Sequence, residues 1–385
     1  MLPYGRQTID EADIAAVVEV LRSPFLTAGP VVAKFEEALA AKVGARHASA
    51  CANGTAALHL VYAALGITVG DEIITTPITF SATAAAAYYV GATVRFADVD
   101  AAGNLDPASV AALITPRTRA IVPVHLGGLP VDLEAFHAIA QRHGIALIED
   151  ACHALGATYH GSPIGSRSDA TVFSFHPVKH ITTGEGGAIV TPSPTLKHRI
   201  DKLRAHGIER DATQMQSAPD GMWAYEVQEL GWNYRLSDLS CALGLSQLAK
   251  LDGFVARRRA IAALYSTELA RVFPNGGVTP PPGFAERESS YHLFAVAIDF
   301  PRFHTTRKLV AERLAAAGIG TQVHYIPLLQ HPLHAQRCPD EARRARPGAD
   351  QYYARTLSIP MFPAMTDADV GEVVVQLARA LGEQP

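Results

Sequence analysis

Residues 145–187 read IALIEDACHALGATYHGSPIGSRSDATVFSFHPVKHITTGEGG. Two apolar runs stand out in this stretch, Ala146–Ile148 and Thr171–Phe175. Each reads as a buried strand. The first runs into Glu149-Asp150 and the second into His176-Pro177-Val178-Lys179. Pro177 has no N–H to give and ends the ladder, which leaves Lys179 in a loop at the same sheet edge as Asp150. Working outward, further strands are predicted at Glu72–Thr76, Thr93–Ala97, Ala120–Val124 and Ala188–Val190. Helices are predicted between several of them, at Thr55–Leu65, Ala82–Val90, Pro107–Ile114 and Leu133–His143. Apolar strands alternating with helices predict an α/β fold whose mostly parallel sheet is covered on both faces. In such sheets ligands bind beyond the carboxyl ends of the strands.

The chain has 385 residues, and at roughly 100–200 residues per domain this predicts two or three folded units. It is 48% hydrophobic and 18% charged, which excludes intrinsic disorder. The net charge of -4 and a pI near 6.5 supply no field to hold nucleic acid. The short basic runs Arg257-Arg258-Arg259 and Arg343-Arg344-Ala345-Arg346 read as solvated surface. Four irregularly spaced cysteines read as free thiols in a reducing compartment. No signal peptide or membrane-spanning run appears, so a cytoplasmic protein without a membrane partner is expected.

The N-terminal segment predicts a helix capped by Asp10, then a second over Ala33–Val43. A long helix is expected from Leu236 to Leu264. Thr279-Pro280-Pro281-Pro282-Gly283 marks a stiff linker. Beyond it come a strand over Tyr291–Phe300, a helix over Thr306–Ala317, a strand at Thr321–Tyr325 and a helix from Thr366. The expected division is a large domain over 1–249 and a smaller α/β domain over 250–385.

Four features fall at the predicted strand ends. Asp150 is an acid at the end of a buried strand, costly without a partner. Lys179 is followed by Thr182-Thr183-Gly184-Glu185-Gly186-Gly187, whose glycines point to backbone packed against something bulky. Asn53-Gly54-Thr55 opens a helix whose free N–H groups suit a phosphate. Phe80 follows a strand and is placed to stack on a flat ring. Each has an ordinary alternative: a helix cap, a solvated lysine, a capped helix, a core aromatic. Together they match what pyridoxal phosphate (PLP) requires. A lysine forms the Schiff base, an acid keeps the pyridine nitrogen protonated, and a helix N-terminus holds the phosphate.

The segments Pro24–Gly29, Asn53–Leu58, Asp71–Phe80, Ile148–Gly156, Phe173–Gly187 and Gly231–Arg235 resemble nucleotide-sugar aminotransferases of fold type I, the DegT/DnrJ/StrS family. Within it, HPVKHITTGEGG and ACHALG are most similar to the C4 aminotransferases of pseudaminic acid biosynthesis. The resemblance implies PLP as cofactor, L-glutamate as donor, and a UDP-linked 4-keto-6-deoxy-N-acetylhexosamine as acceptor. It implies a homodimer with shared active sites. Lys179 and Asp150 would be catalytic. Gly54, Thr55 and Ser174 would bind the phosphate, Phe80 would stack on the ring, and His153 would lie near its 3-oxygen. Asn233 would reach the phosphate from the partner subunit. Tyr4, Thr27, Asn53, His176, His324 and Tyr325 would lie on the substrate side.

Two departures from the family pattern matter. Asn53 replaces a serine common before the phosphate helix, and His180 stands beside the lysine. Some relatives carry His in place of the lysine and are sugar dehydratases, but Lys179 is intact here. Other keto sugars of the perosamine, bacillosamine or 3-keto type stay open as substrates, as does a non-catalytic PLP-binding module. His331 and His334 do not read as a metal site, because Pro332 intervenes and no carboxylate flanks them.

Overall fold

The computed structural model describes residues 1–384. Seven strands form the main sheet: His47–Cys51 (β1), Glu72–Thr75 (β2), Thr93–Phe96 (β3), Thr118–Val122 (β4), Ala146–Asp150 (β5), Ala170–Ser174 (β6) and Gly187–Thr191 (β7). Their order is β1-β7-β6-β5-β4-β2-β3. The pairs from β6 through β3 are parallel, and β7 pairs antiparallel with both β6 and β1. The mostly parallel α/β sheet is therefore present. β1, with the sequence HASAC, was missed because it has no apolar run to announce it.

Side-chain alternation along these strands builds two cores, one on each face. Leu147, Ile121 and Phe173 belong to one, and Ile148, Val122 and Val172 to the other. Burying each such side chain contributes about 1.5–3 kcal/mol. The helices are Glu11–Leu21 (α1), Pro30–Val43 (α2), Gly54–Ala64 (α3), Ala82–Tyr89 (α4), Pro107–Ala111 (α5), Leu133–His143 (α6), Pro194–Leu203 (α7), Asp238–Val272 (α8) and Arg307–Ala316 (α9), then short helices at Pro332–Arg337, Pro339–Arg343 and Pro347–Arg355 and a terminal helix at Asp367–Leu381. Asp10 caps α1 through a reciprocal box with Asp13. α3 is apolar around most of its circumference, and the second core encloses it.

α8 runs eight residues past its predicted end at Leu264, because Tyr265 and Leu269 keep burying a face at helical spacing. Leu248, Leu251 and Val255 pack in the first core of the main sheet, while Ile261, Tyr265 and Leu269 pack in a third. The 249/250 position thus falls inside one continuous helix. The third core lies against Val278–Thr279 (β8), Phe294–Ile298 (β9) and Thr356–Ile359 (β10), an antiparallel sheet in that order. The expected strand at Thr321–Tyr325 is absent, and only Gln322 bridges to Ser358. That segment is free to line a cavity instead.

Arg258 is not a surface residue. It is 1% exposed and its guanidinium donates to the carbonyls of Tyr291, His292 and Met361 at 3.1, 3.3 and 2.9 Å. Arg346 is likewise buried and paired with Glu341. A charge count does not see the partners of Arg258, which are carbonyls of distant segments, whereas Arg346 is paired with an acid only 5 residues away. Among the described residues no helix is long and apolar enough to cross a membrane.

Candidate active site

The carboxyl ends of β5 and β6 and the N-terminus of α3 converge on a cavity of about 750 Å³. This lies within the size range of sites for small organic ligands. Asp150, the last residue of β5, presents its carboxylate to this cavity. Oδ2 accepts from Thr83 Oγ1 at 2.7 Å and Oδ1 from the Cys152 N–H at 3.2 Å. The second bond makes a local turn, and no helix follows, so the helix-cap alternative for Asp150 does not hold.

Lys179 sits in the turn after β6, held by its N–H to the His176 carbonyl at 2.8 Å. Burial lowers the basicity of its amine below that of an ordinary lysine, against the opposing pull of Cys152 and Asp150. A half-buried amine with lowered basicity is suited to attack a carbonyl and to accept a proton.

The phosphate end is built by close packing. A Cβ on Gly54 would lie 3.1 Å from both Cys152 Sγ and Ser174 Cβ. A bare Cα spares the α3 N-terminus these two tight contacts beside the Ser174 hydroxyl. The first-turn N–H groups of Gly54 and Thr55 have no partner within the helix. These donors and the Ser174 hydroxyl, which line one cavity with Asp150 and Lys179, fit PLP. The Asn53 side chain caps α3, its Oδ1 accepting from the Ala56 N–H at 2.8 Å. Of the glycines after Lys179, Gly187 packs against this same turn, since its Cβ would lie 2.5 Å from the Asn53 carbonyl carbon, whereas Gly186 faces Thr183 and Gly184 faces open space.

Phe80 is 61% exposed and lies on the cavity wall, so it is not a core aromatic. His153 accepts the Gly127 N–H at Nδ1 and contacts the Tyr325 hydroxyl through Nε2. Tyr4, Asn53, His176, His324 and Tyr325 also line the cavity. Burial brings His324 down to about 3, so its ring is neutral. Thr27 and Asn233 do not line this cavity. Both are exposed, Thr27 bridged to Ser237 and Asn233 to Ala205. Sequence reasoning missed Thr83, which sits in the Ala-rich run ATAAAA with nothing in its pattern to mark it. His292, on the loop before β9, was missed as well. His334 is held by Ser81 Oγ and the Tyr88 hydroxyl at 3.0 and 3.1 Å.

Residues 7–378 match the model of the DegT/DnrJ/EryC1/StrS aminotransferase family. The chain belongs to this family. As a member it is a PLP-dependent sugar aminotransferase of fold type I. It is 41% identical over 375 residues to the spore coat polysaccharide biosynthesis protein SpsC of Bacillus subtilis, covering 97% of this chain and 95% of that protein. It is 39% identical over 372 residues to the UDP-4-amino-4,6-dideoxy-N-acetyl-beta-L-altrosamine transaminase of Campylobacter jejuni, covering 96% and 94% of the two chains. Among solved structures it superposes on Helicobacter pylori PseC, an aminotransferase involved in the biosynthesis of pseudoaminic acid, with a TM-score of 0.91. That match is 33% identical and covers 99% of each chain.

Proposed function

We propose that this family member transfers the amino group of L-glutamate to C4 of a UDP-4-keto-6-deoxy-N-acetylhexosamine. The product would be of the UDP-4-amino-4,6-dideoxy-N-acetyl-beta-L-altrosamine type. What carries the amino-transfer chemistry is the placement of Lys179, Asp150 and the Gly54–Thr55–Ser174 donors on one cavity. What supports the sugar is the full-length similarity to the Campylobacter transaminase and to PseC.

Bound PLP supplies an electron sink for the bond broken at the amino donor's Cα. The protein's residues supply the rest. The α3 N–H groups and Ser174 anchor the phosphate. Asp150, oriented by Thr83, holds a proton on the ring nitrogen. Phe80 covers one face of the ring. Lys179 would hold the cofactor's aldehyde. Its free amine would move a proton between the donor's Cα and the cofactor in one half of the cycle, and between the cofactor and the sugar's C4 in the other. Tyr4 and His324, with ring centroids 5.5 Å apart, and Tyr325 offer apolar faces and polar tips to the sugar.

We further propose a homodimer in which Thr27 and Asn233 complete the partner's site. Exposed apolar side chains at Phe25, Leu26, Trp223 and Leu230 support it, because a monomer would leave them in water. The large and small units would then close over the sugar, with α8 shared between them. The free cysteines support a cytoplasmic setting.

A second reading, transfer to another nucleotide-linked keto sugar, is favoured by the similarity to SpsC. Incubation with glutamate and a panel of UDP-4-keto sugars, followed by mass and NMR analysis of the product, tests both. A C4 amino sugar of the altro configuration is expected. Amination of a different keto sugar alone would replace the first reading with the second.

A further inference from the structure

His153 and Tyr325 form a pair whose proton order is set by the backbone. Gly127 adopts a left-handed turn at φ 64° and directs its N–H to His153 Nδ1 at 3.3 Å. A backbone N–H can only donate, so Nδ1 must carry the lone pair. The proton of the neutral ring is then on Nε2. Nε2 lies 3.2 Å from the Tyr325 hydroxyl oxygen, and the N–H therefore donates to that oxygen. Burial keeps the His153 ring neutral, and nearby positive charge at Lys179 acts in the same direction. His292 lies 4.4 Å away between centroids, with His180 a further 5.6 Å beyond it. Both are also buried and neutral. Burial likewise holds the Tyr325 phenol protonated.

We propose that this order makes Tyr325 an obligate hydrogen-bond donor to a ligand oxygen in the cavity, with His153 as the residue that positions it. The Tyr325 oxygen already accepts a hydrogen bond from the imidazole N–H. Its own O–H must be given elsewhere, and the cavity is the open direction. The acceptor is a carbonyl or anionic oxygen. The keto oxygen of the sugar belongs to that class, and this assignment rests on the function proposed above. The proton order itself rests on the protein alone.

Two measurements separate these layers. In cofactor-free enzyme with 15N-labelled histidine, the signal lost in His153→Gln should be that of a neutral ring protonated at Nε2 between about pH 6 and 8. An Nδ1–H tautomer or an imidazolium there overturns the proposal, whatever the sugar. In single-turnover half-reactions with the sugar identified by the panel, Tyr325→Phe and His153→Leu should each slow the sugar half about tenfold, the scale of one neutral hydrogen bond. The sugar half should slow at least about fivefold more than the glutamate half, and in the sugar half the double variant should be no slower than either single. His153→Gln keeps a donor N–H and an acceptor oxygen on one side chain, and should recover most of the loss seen in His153→Leu. Equal slowing of both halves, or His153→Gln as slow as His153→Leu, refutes the positioning role.

Discussion

Gly187→Ala tests how tightly the cofactor cradle is built. The added methyl would sit 2.5 Å from the Asn53 carbonyl carbon, 2.6 Å from its oxygen and 2.7 Å from the Gly54 nitrogen. All three are backbone atoms, fixed by β1 on one side and α3 on the other, so no rotamer change relieves them. Replacing a strand glycine is by itself favourable by roughly 0.5–1 kcal/mol, through lower entropy of the unfolded chain. Overpacking a rigid site costs about 1–3 kcal/mol, and contacts under 3 Å with backbone on every side belong at the upper end. The net expectation is a loss of about 1–2 kcal/mol. With an unfolding entropy near 2.1 cal/mol/K per residue, a 385-residue chain loses only about 1–3 °C in Tm. The larger effect should be on PLP, because the shift moves the N–H groups that hold its phosphate. Calorimetry of the cofactor-free enzyme and a PLP titration followed by the visible absorbance of the bound cofactor measure the two separately. Gly253→Ala is the control, since nothing lies within 4 Å of its Cβ and it should gain up to about 1 kcal/mol in α8. If Gly187→Ala matches the control in both Tm and PLP affinity, the close-packed cradle is wrong.

Lys179→Ala should abolish both turnover and the visible absorbance, and turnover at the parental rate would remove Lys179 from its role. Asp150→Asn should retain PLP but lower kcat about 10²–10⁴-fold, measured under saturating glutamate and sugar. Thr83→Val removes the donor to Asp150 Oδ2, a bond to a charged group worth about 1.5–3 kcal/mol, so kcat should fall about 10–100-fold while Thr83→Ser recovers most of it. In the cofactor-free enzyme, Lys179→Met should raise Tm near neutral pH, because the half-buried amine is less basic in the fold than in the unfolded chain. Between its lowered folded value and the usual 10.5 the unfolded chain binds more protons, so parental stability rises with pH and the gain from methionine shrinks. A gain that widens with pH contradicts the burial of Lys179.

Much of this site was legible because it follows from local rules. Asp150 ends an apolar run, Pro177 stops the next, and the glycines flank the turn, so their placement at one sheet edge needed only the parallel order. Thr83 was not legible, because its partner lies 67 residues away and threonine in a helix has no distinctive pattern. Arg258 was misread for the same reason, its burial being created by carbonyls from three separate positions. Thr321–Tyr325 was expected as a strand, but Thr356–Ile359, which sequence reading did not single out, takes the place beside β9.

By itself the sequence determined the fold class, the cofactor chemistry and the lysine–acid pair, since periodicity and residue type decide which elements form and what chemistry they carry. The tertiary structure alone decided how those groups are tuned. Burial lowers the basicity of Lys179, Thr83 orients Asp150, and Gly127 sets the proton order of His153 and Tyr325. Each depends on distances between segments far apart in the chain, and hydrogen-bond direction and desolvation exist only once those distances are set.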